Sequence, residues 1–409
     1  MTPRRIFGTL LLIAFIGLFW LMKHRREGDG ENDSTVSPSH TEERVRVENR
    51  LVLNGNLSQG LNFTFPFGEF SNAHLDLLDI TLGFPRSESA NEFETAAYAN
   101  GFEVLESIPS LGVLRVRITD FAKAMDTLDE LGGGLELARN PRVRLPQLPE
   151  THRIVGEKGF GDQAFDWLGA PKDRKHWGEG MKVAILDSGI DLDHPFLRGA
   201  RIERVSLVQE NEGSFLGHGT AIASIIAGQS ENNLGLAPSA SILSVEVLDK
   251  FGEGDAFTVA RGVVEATDRG SDLINLSLGS DFSSPVLESA VAYAREKGVV
   301  VVAAVGNEGM PEVAFPARYE GVVGVTAVDR MGRPSAFANY GEGVDLSAPG
   351  VRVDTAWEED QIVSFSGTSG ATAFVSGALV AEMAKNPHLN ESQLMEILYE
   401  NANEVEKPG

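Results

Sequence analysis

The chain of 409 residues contains no cysteine. That excludes disulfides, thiolate nucleophiles and cysteine-held metals, though it assigns no compartment. Basic residues are also scarce: 35 Lys and Arg stand against 59 Asp and Glu, a formal charge of −24. Such a balance argues against nucleic acid, whose phosphates need Lys and Arg. It gives a solvated acidic surface and some attraction for basic partners. What is present is ordinary globular material, long enough for two or three domains and a large core.

Residues Ile6 to Met22 form an unbroken, mostly apolar run with Arg4 and Arg5 before it and Lys23, Arg25 and Arg26 after it. Its length is at the short end for a membrane span. Small residues expected at a cleavage site are missing from Phe19-Trp20-Leu21-Met22, so residues 1–22 read as an uncleaved signal anchor rather than a cleaved signal peptide. The balanced flanks specify orientation weakly. The expectation is a catalytic or binding part outside the cytoplasm, held at the membrane through residues 6–22 or secreted after processing. Residues 23–50 are polar and charged, the composition of a disordered tether. Residues 51–90 hold an alternating aromatic stretch, Phe63, Phe65, Phe67 and Phe70, which fits a short β segment of no assigned role. Asn56-Leu57-Ser58 and Asn62-Phe63-Thr64 match glycosylation triplets, which are common by chance.

Residues 91–150 carry a compact αββαβ pattern. Glu92 to Asn100 reads as a helix, Phe102 to Ile108 and Val113 to Ile118 as strands, Asp120 to Leu131 as a capped helix, and Leu135 to Leu145 as a last strand. This predicts a small α+β domain, followed by an exposed connection around Pro146 and Pro149. From Met181 onward, continuous apolar strands alternate with helical runs. Met181 to Leu186, Ile242 to Leu248, Leu273 to Leu278 and Val299 to Val305 are the strands; Ala221 to Ala227, Ala256 to Thr267, Val286 to Lys297 and Ala371 to Met383 are the helices. The fold class is α/β, with a parallel sheet covered by helices on both faces. Sites in such sheets lie beyond the carboxyl ends of strands, where Asp187 and Asn307 fall.

The stretch Ser364-Phe365-Ser366-Gly367-Thr368-Ser369-Gly370-Ala371-Thr372 precedes an apolar helix. Taken alone it leaves two readings open: a Ser/Thr helix cap, or a serine placed where helix N–H groups stabilise negative charge. Asp187 and His218 decide between them. Serine needs a base to take its proton, and the base needs a carboxylate to fix its tautomer. Asp187 follows a buried strand; His218 lies in Gly217-His218-Gly219-Thr220; Ser369 lies in Gly367-Thr368-Ser369. The order Asp, His, Ser is one of the chain orders in which this triad occurs.

The sequence here resembles the subtilisin-like serine peptidases. The matching blocks are Val183 to Asp191, Gly217 to Thr220, Ala237 to Ala240, Ile274 to Gly279, Ala304 to Gly309 and Gly367 to Ser369, in family order across roughly residues 160–400, which implies a catalytic domain at residues 160–409. The resemblance implies an endopeptidase in which Ser369 attacks, His218 is the base, Asp187 orients it and Asn307 supplies an oxyanion-hole amide. It further implies that Ser277-Leu278-Gly279 and Gly252-Glu253-Gly254 are the two backbone edges that sandwich an extended substrate. Glu253, Asp255 and Glu308 would then lie near the groove, as plain surface charge or as a preference for basic side chains. Residues 91–150 resemble the family's propeptide, which would make this domain a partner of the enzyme. The stretch from Leu148 to Lys158 would then enter the site and be cut by Ser369.

The pattern departs from the family in places. Gly370 and Ala373 replace residues that usually stiffen the nucleophile helix, and Ala221 stands where many members have a second histidine. Gln229 to Leu234 is short, and Phe196 stands where a calcium-binding carboxylate is common. No calcium site or other cofactor is therefore expected, and the pair Asp191 and Asp193 supplies too few oxygens by itself. Two other classes remain. One is a membrane-tethered, weakly active or inactive binding protein on the same scaffold. The other is a small-molecule binder, which would need phosphate-cradling donors where Asp187-Ser188-Gly189-Ile190-Asp191 offers an acid.

Overall fold

The computed structural model describes residues 79–131, 135–147, 149, 156–208, 217–231 and 233–404, with the two-residue strands Trp20–Leu21, Thr64–Phe65 and Gly68–Glu69. The tether at 23–50, the triplet at 56–58 and most of the triplet at 62–64 lie outside the described residues. So does the expected membrane segment, except for Trp20–Leu21. That pair is extended rather than helical and adds to the open edge of the main sheet, Trp20 opposite Ser347. A sheet edge presents unpaired N–H and C=O groups that accept any extended segment. Among the described residues no helix is long and apolar enough to cross a membrane.

The N-terminal domain contains Asp79–Gly83 (β1), Ser87–Ala96 (α1), Phe102–Ile108 (β2), Val113–Ile118 (β3), Phe121–Leu131 (α2) and Glu136–Arg139 (β4). Its antiparallel sheet has the order β2-β3-β1-β4. The sequence pattern lacked β1 and started α1 too late. β1 is short, and only Ile80 and Leu82 mark its core face. α1 begins at Ser87 because Ala90 and Phe93 are its buried positions, with the Phe93 ring 5.3 Å from that of Phe84. The single strand expected from Leu135 to Leu145 is two strands. Asn140-Pro141 breaks it, since proline has no N–H for a ladder. Arg142–Arg144 (β5) then leaves this sheet altogether.

The main sheet is parallel through seven strands: Lys182–Asp187 (β6), Arg201–Ser206 (β7), Ser241–Glu246 (β8), Leu273–Leu276 (β10), Val300–Ala304 (β11), Val322–Val328 (β12) and Leu346–Pro349 (β13). Their order is β7-β8-β6-β10-β11-β12-β13. Strand β9, Glu253–Asp255, lies outside this sheet and pairs with β5. Each central strand is buried on both sides. Val183 and Ile185 of β6 join the core under Gly217–Ala227 (α3) and Thr368–Lys385 (α6). Ala184 and Leu186 join the core under Ala256–Asp268 (α4) and Pro285–Glu296 (α5). That two-sided burial is why these strands read as continuous apolar runs rather than alternating ones. The strand order changes direction at β6, flanked by β8 and β10, so a crevice opens beyond its carboxyl end at Asp187.

Candidate active site

His218 lies in the first turn of α3, not in a loop before it. Close approach of that turn to the segment after β6 requires glycine: a Cβ on Gly219 would meet the Gly189 carbonyl oxygen at 2.1 Å. The approach places His218 Nδ1 2.8 Å from Asp187 Oδ2, with both side chains buried. The other Asp187 oxygen accepts from the Ser188 N–H at 2.8 Å and from its hydroxyl at 3.2 Å. The carboxylate is thus fixed from two directions. With Nδ1–H donated to Asp187, His218 Nε2 is the nitrogen left to act as a base.

Ser369 lies one residue inside α6, whose N-cap is Gly367 with no side-chain cap bond. The helix-cap reading of Ser369 therefore does not hold. Its hydroxyl donates to the Ser277 carbonyl oxygen at 3.4 Å, and the Ser277 hydroxyl donates to the Ser369 carbonyl at 3.3 Å. A resting contact this long is readily exchanged when substrate binds. Asn307 approaches from the end of β11. Its Oδ1 accepts from the Thr368 N–H and hydroxyl, each at 2.9 Å, which turns Nδ2 outward into the groove.

Gly370 and Ala373 do not interrupt α6, which runs unbroken to Lys385. A Cβ on Gly370 would come within 3.2 Å of the Phe365 ring, and that ring stands edge-on to His218 at 5.6 Å between centroids. The glycine makes room for an aromatic wall beside the imidazole.

The groove edges carry a segment of the chain itself. β5 pairs antiparallel with β9, Arg144 opposite Glu253 and Val143 opposite Gly254. Across the groove Arg144 exchanges two backbone bonds with Gly279, at 3.0 and 2.9 Å, and the Leu145 N–H donates to the Gly252 carbonyl at 3.0 Å. Pro146 is buried in a hollow lined by Gly279, Ser280, Ala304, Gly306, Glu308 and Ala314. The Gln147 carbonyl oxygen accepts from Asn307 Nδ2 at 3.0 Å. The segment in the groove is therefore Arg142–Gln147, upstream of the expected Leu148 to Lys158, most of which lies outside the described residues. Of the expected edge residues, Gly252, Glu253, Gly254 and Gly279 flank this segment. Ser277 touches Ser369 instead, and the Leu278 side chain is buried in the core.

The acids expected near the groove divide. Glu253 pairs with Arg142 at 2.8 Å, and Asp281, which no motif marked, faces Arg144 at 3.6 Å. Glu308 is turned inward, accepting from the Asn307 N–H at 2.9 Å. Asp255 caps α4 and meets Asn140 and Arg115 of the N-terminal domain, the latter at 3.3 Å. Burial works against the Arg115 charge, but Asp79, Asp255 and Glu106 outweigh it and hold its pKa above the ordinary value. Among the described residues no group of three His, Asp or Glu could hold a metal. The Asp191 carboxylate accepts from the Asp193 N–H at 3.1 Å, and Phe196 packs against His194.

A family model, Peptidase_S8, subtilase family, matches residues 178–409. The chain belongs to the subtilase family. It is 38% identical over 239 residues to a thermostable alkaline protease of Halalkalibacterium halodurans, covering 58% of this chain and 66% of that protein. Against subtilisin Savinase of Lederbergia lenta it is 40% identical over 229 residues, covering 55% of this chain and 84% of the relative. Among solved structures, that of fervidolysin from Fervidobacterium pennivorans, described as a keratinolytic enzyme related to subtilisin, matches with a TM-score of 0.64 at 23% identity. It covers 81% of this subtilase and 57% of fervidolysin, so the likeness of fold extends beyond the residues matched by the family model. The chain thus spans just under two thirds of the Halalkalibacterium protease's length.

Proposed function

We propose that the chain is a serine endopeptidase that works through an acyl-enzyme and cuts its own N-terminal segment after Gln147. The observation that carries the proposal is the Gln147 carbonyl lying 3.0 Å from Asn307 Nδ2, in a groove beside Ser369. Ser369 Oγ attacks the scissile carbonyl carbon while His218 Nε2 takes its proton, and Asp187 stabilises the resulting imidazolium. Asn307 Nδ2 and an N–H at the start of α6 hold the developing oxyanion. Collapse expels the amine, protonated by His218, and water releases the acyl group by the reverse sequence. Strand addition on both groove edges selects an extended peptide. The pairs Arg142–Glu253 and Arg144–Asp281 support a preference for basic side chains at two alternate positions. With an anchor at residues 6–22, the cut would free the catalytic part from the membrane.

The test compares the full chain with Ser369→Ala using a fluorophosphonate label and N-terminal sequencing. The wild type is expected to take the label and to yield a fragment beginning at Leu148. The variant is expected to do neither and to stay full-length in the membrane fraction. Equal cutting of the variant would sink self-processing. An unlabelled wild type, after loss of its N-terminal domain, would favour the tethered binding protein instead.

A further inference from the structure

Asn307 can serve the oxyanion only if the turn that carries it is held still, and that turn has few bonds of its own. Gly306 has φ +107°, and a Cβ there would meet Asn339 Nδ2 at 2.3 Å and Glu308 Oε2 at 2.6 Å. The turn is wrapped around a side chain from a distant loop. Asn339 Nδ2 donates to the Val305 carbonyl at 3.1 Å and to Glu308 Oε2 at 2.9 Å. Asn339 Oδ1 accepts from the Glu308 N–H at 3.1 Å and the Met310 N–H at 3.0 Å. The Asn339 backbone N–H donates to the Gly306 carbonyl at 3.0 Å. Glu308 Oε2, held in this way, accepts from the Asn307 N–H at 2.9 Å. The Asn339 carbonyl is itself tied to the Thr326 hydroxyl of β12 at 3.0 Å, and the residue is 4% exposed.

We infer that Asn339 is a positioning residue for the proposed peptidase reaction: its amide fixes the Val305–Met310 turn so that Asn307 Nδ2 meets the oxyanion. A side-chain amide suits this place because it offers donors and acceptors on one planar group. Aspartate, of the same shape, would lose both donors and bring a carboxylate against Glu308. The Val305 carbonyl would then keep only the Ala314 N–H, at 3.0 Å, and lose the donor that ties it to the Asn339 loop. Glu308, in turn, would move away and release the Asn307 N–H. Asn339 touches no substrate; its effect passes through Asn307.

This inference rests on the peptidase reading, and a double-mutant cycle separates the two. The variants are Asn339→Asp, Asn307→Ala and both together, assayed for kcat and KM on an extended peptide substrate per fluorophosphonate-titrated site. Asn339→Asp is expected to lower kcat roughly 10- to 100-fold, within the effect of losing the oxyanion amide itself. KM should change by about twofold or less, because ground-state binding uses the groove edges. In the Asn307→Ala background the same change should cost about twofold or less, since no amide remains to be misplaced. Where the aspartate variant fails to fold, Asn339→Ser carries the same cycle. Equal losses in both backgrounds, or a loss confined to KM, would overturn the positioning role. If Asn307→Ala alone leaves turnover intact, the oxyanion reading beneath it fails instead.

Discussion

Two helices of this subtilase begin beside the groove, and they use their N-termini in opposite ways. At α4, the Asp255 side chain accepts from the Thr258 N–H at 2.9 Å, the Pro141 carbonyl from the Ala256 N–H at 2.9 Å and Asn140 Oδ1 from the Phe257 N–H at 2.9 Å. Its first-turn donors are filled, two of them by the N-terminal domain. At α6 the N-cap is a glycine without a side-chain bond, and the Thr368 N–H is used to orient Asn307. Both helix ends carry the same partial positive charge. One is spent on joining two domains; the other is kept for a charge that forms during the proposed reaction. The difference lies in what precedes each helix, an acid in one case and glycine in the other.

The largest effect that could break this contrast is at α6. Asn307→Ala should lower kcat by about 10²–10³, with a smaller fall in melting temperature as the Thr368 N–H and hydroxyl lose their acceptor. Loss of stability with turnover per folded site intact would make this helix start another structural cap. The contrast sharpens at α4. Asp255→Ala should cost stability of about 1 kcal/mol, read as a lower denaturant midpoint, with kcat unchanged. Asn140→Ala should leave stability of the catalytic part alone and make the processed chain gain peptide activity faster, by several-fold, as the N-terminal domain departs sooner. An unchanged rate of gain would mean that the capping contacts do not hold the domain.

The smallest effect concerns the groove charges. Val143 is fully buried, a contribution of about 1.5–3 kcal/mol for an apolar side chain. The Arg142–Glu253 and Arg144–Asp281 pairs are exposed, and such pairs contribute about 0.2–1 kcal/mol. Apolar burial therefore anchors the segment, while charge only tunes the choice of sequence. Glu253→Gln and Asp281→Asn should each reduce the preference for Arg over Ala at the matching substrate position roughly 1.5- to 5-fold. Salt of about 0.5 M should erase most of that preference in the wild type. A selectivity that survives both changes would assign it to packing.

Much of this arrangement was legible because it is local. Strands such as Val300–Ala304 read directly as apolar runs, and Asp187, His218 and Ser369 each sit in a short motif of small residues. β1 was not legible, since its burial depends on pairing with β3 and β4, far away in the chain. Pro141 marked a break near 140, but no local signal says that the next residues change sheets. Thr368 and Asn339 were passed over for a related reason: their roles consist of bonds to Asn307 and its turn. Glu308 and Asn339, joined by two such bonds, are 31 residues apart.

By itself the sequence determined the α/β class, the central buried strands with the helices between them, and the residues able to form an Asp–His–Ser site, because strand burial and tight glycine-flanked turns constrain residue type locally. Only the tertiary structure decided that Ser369 lies inside its helix and that Arg142–Gln147 fills the groove. It also decided which acids face that segment and which are committed to capping or to the turn at Asn307. Those outcomes depend on which distant backbone and side-chain groups satisfy one another once buried, and no window of sequence contains both partners.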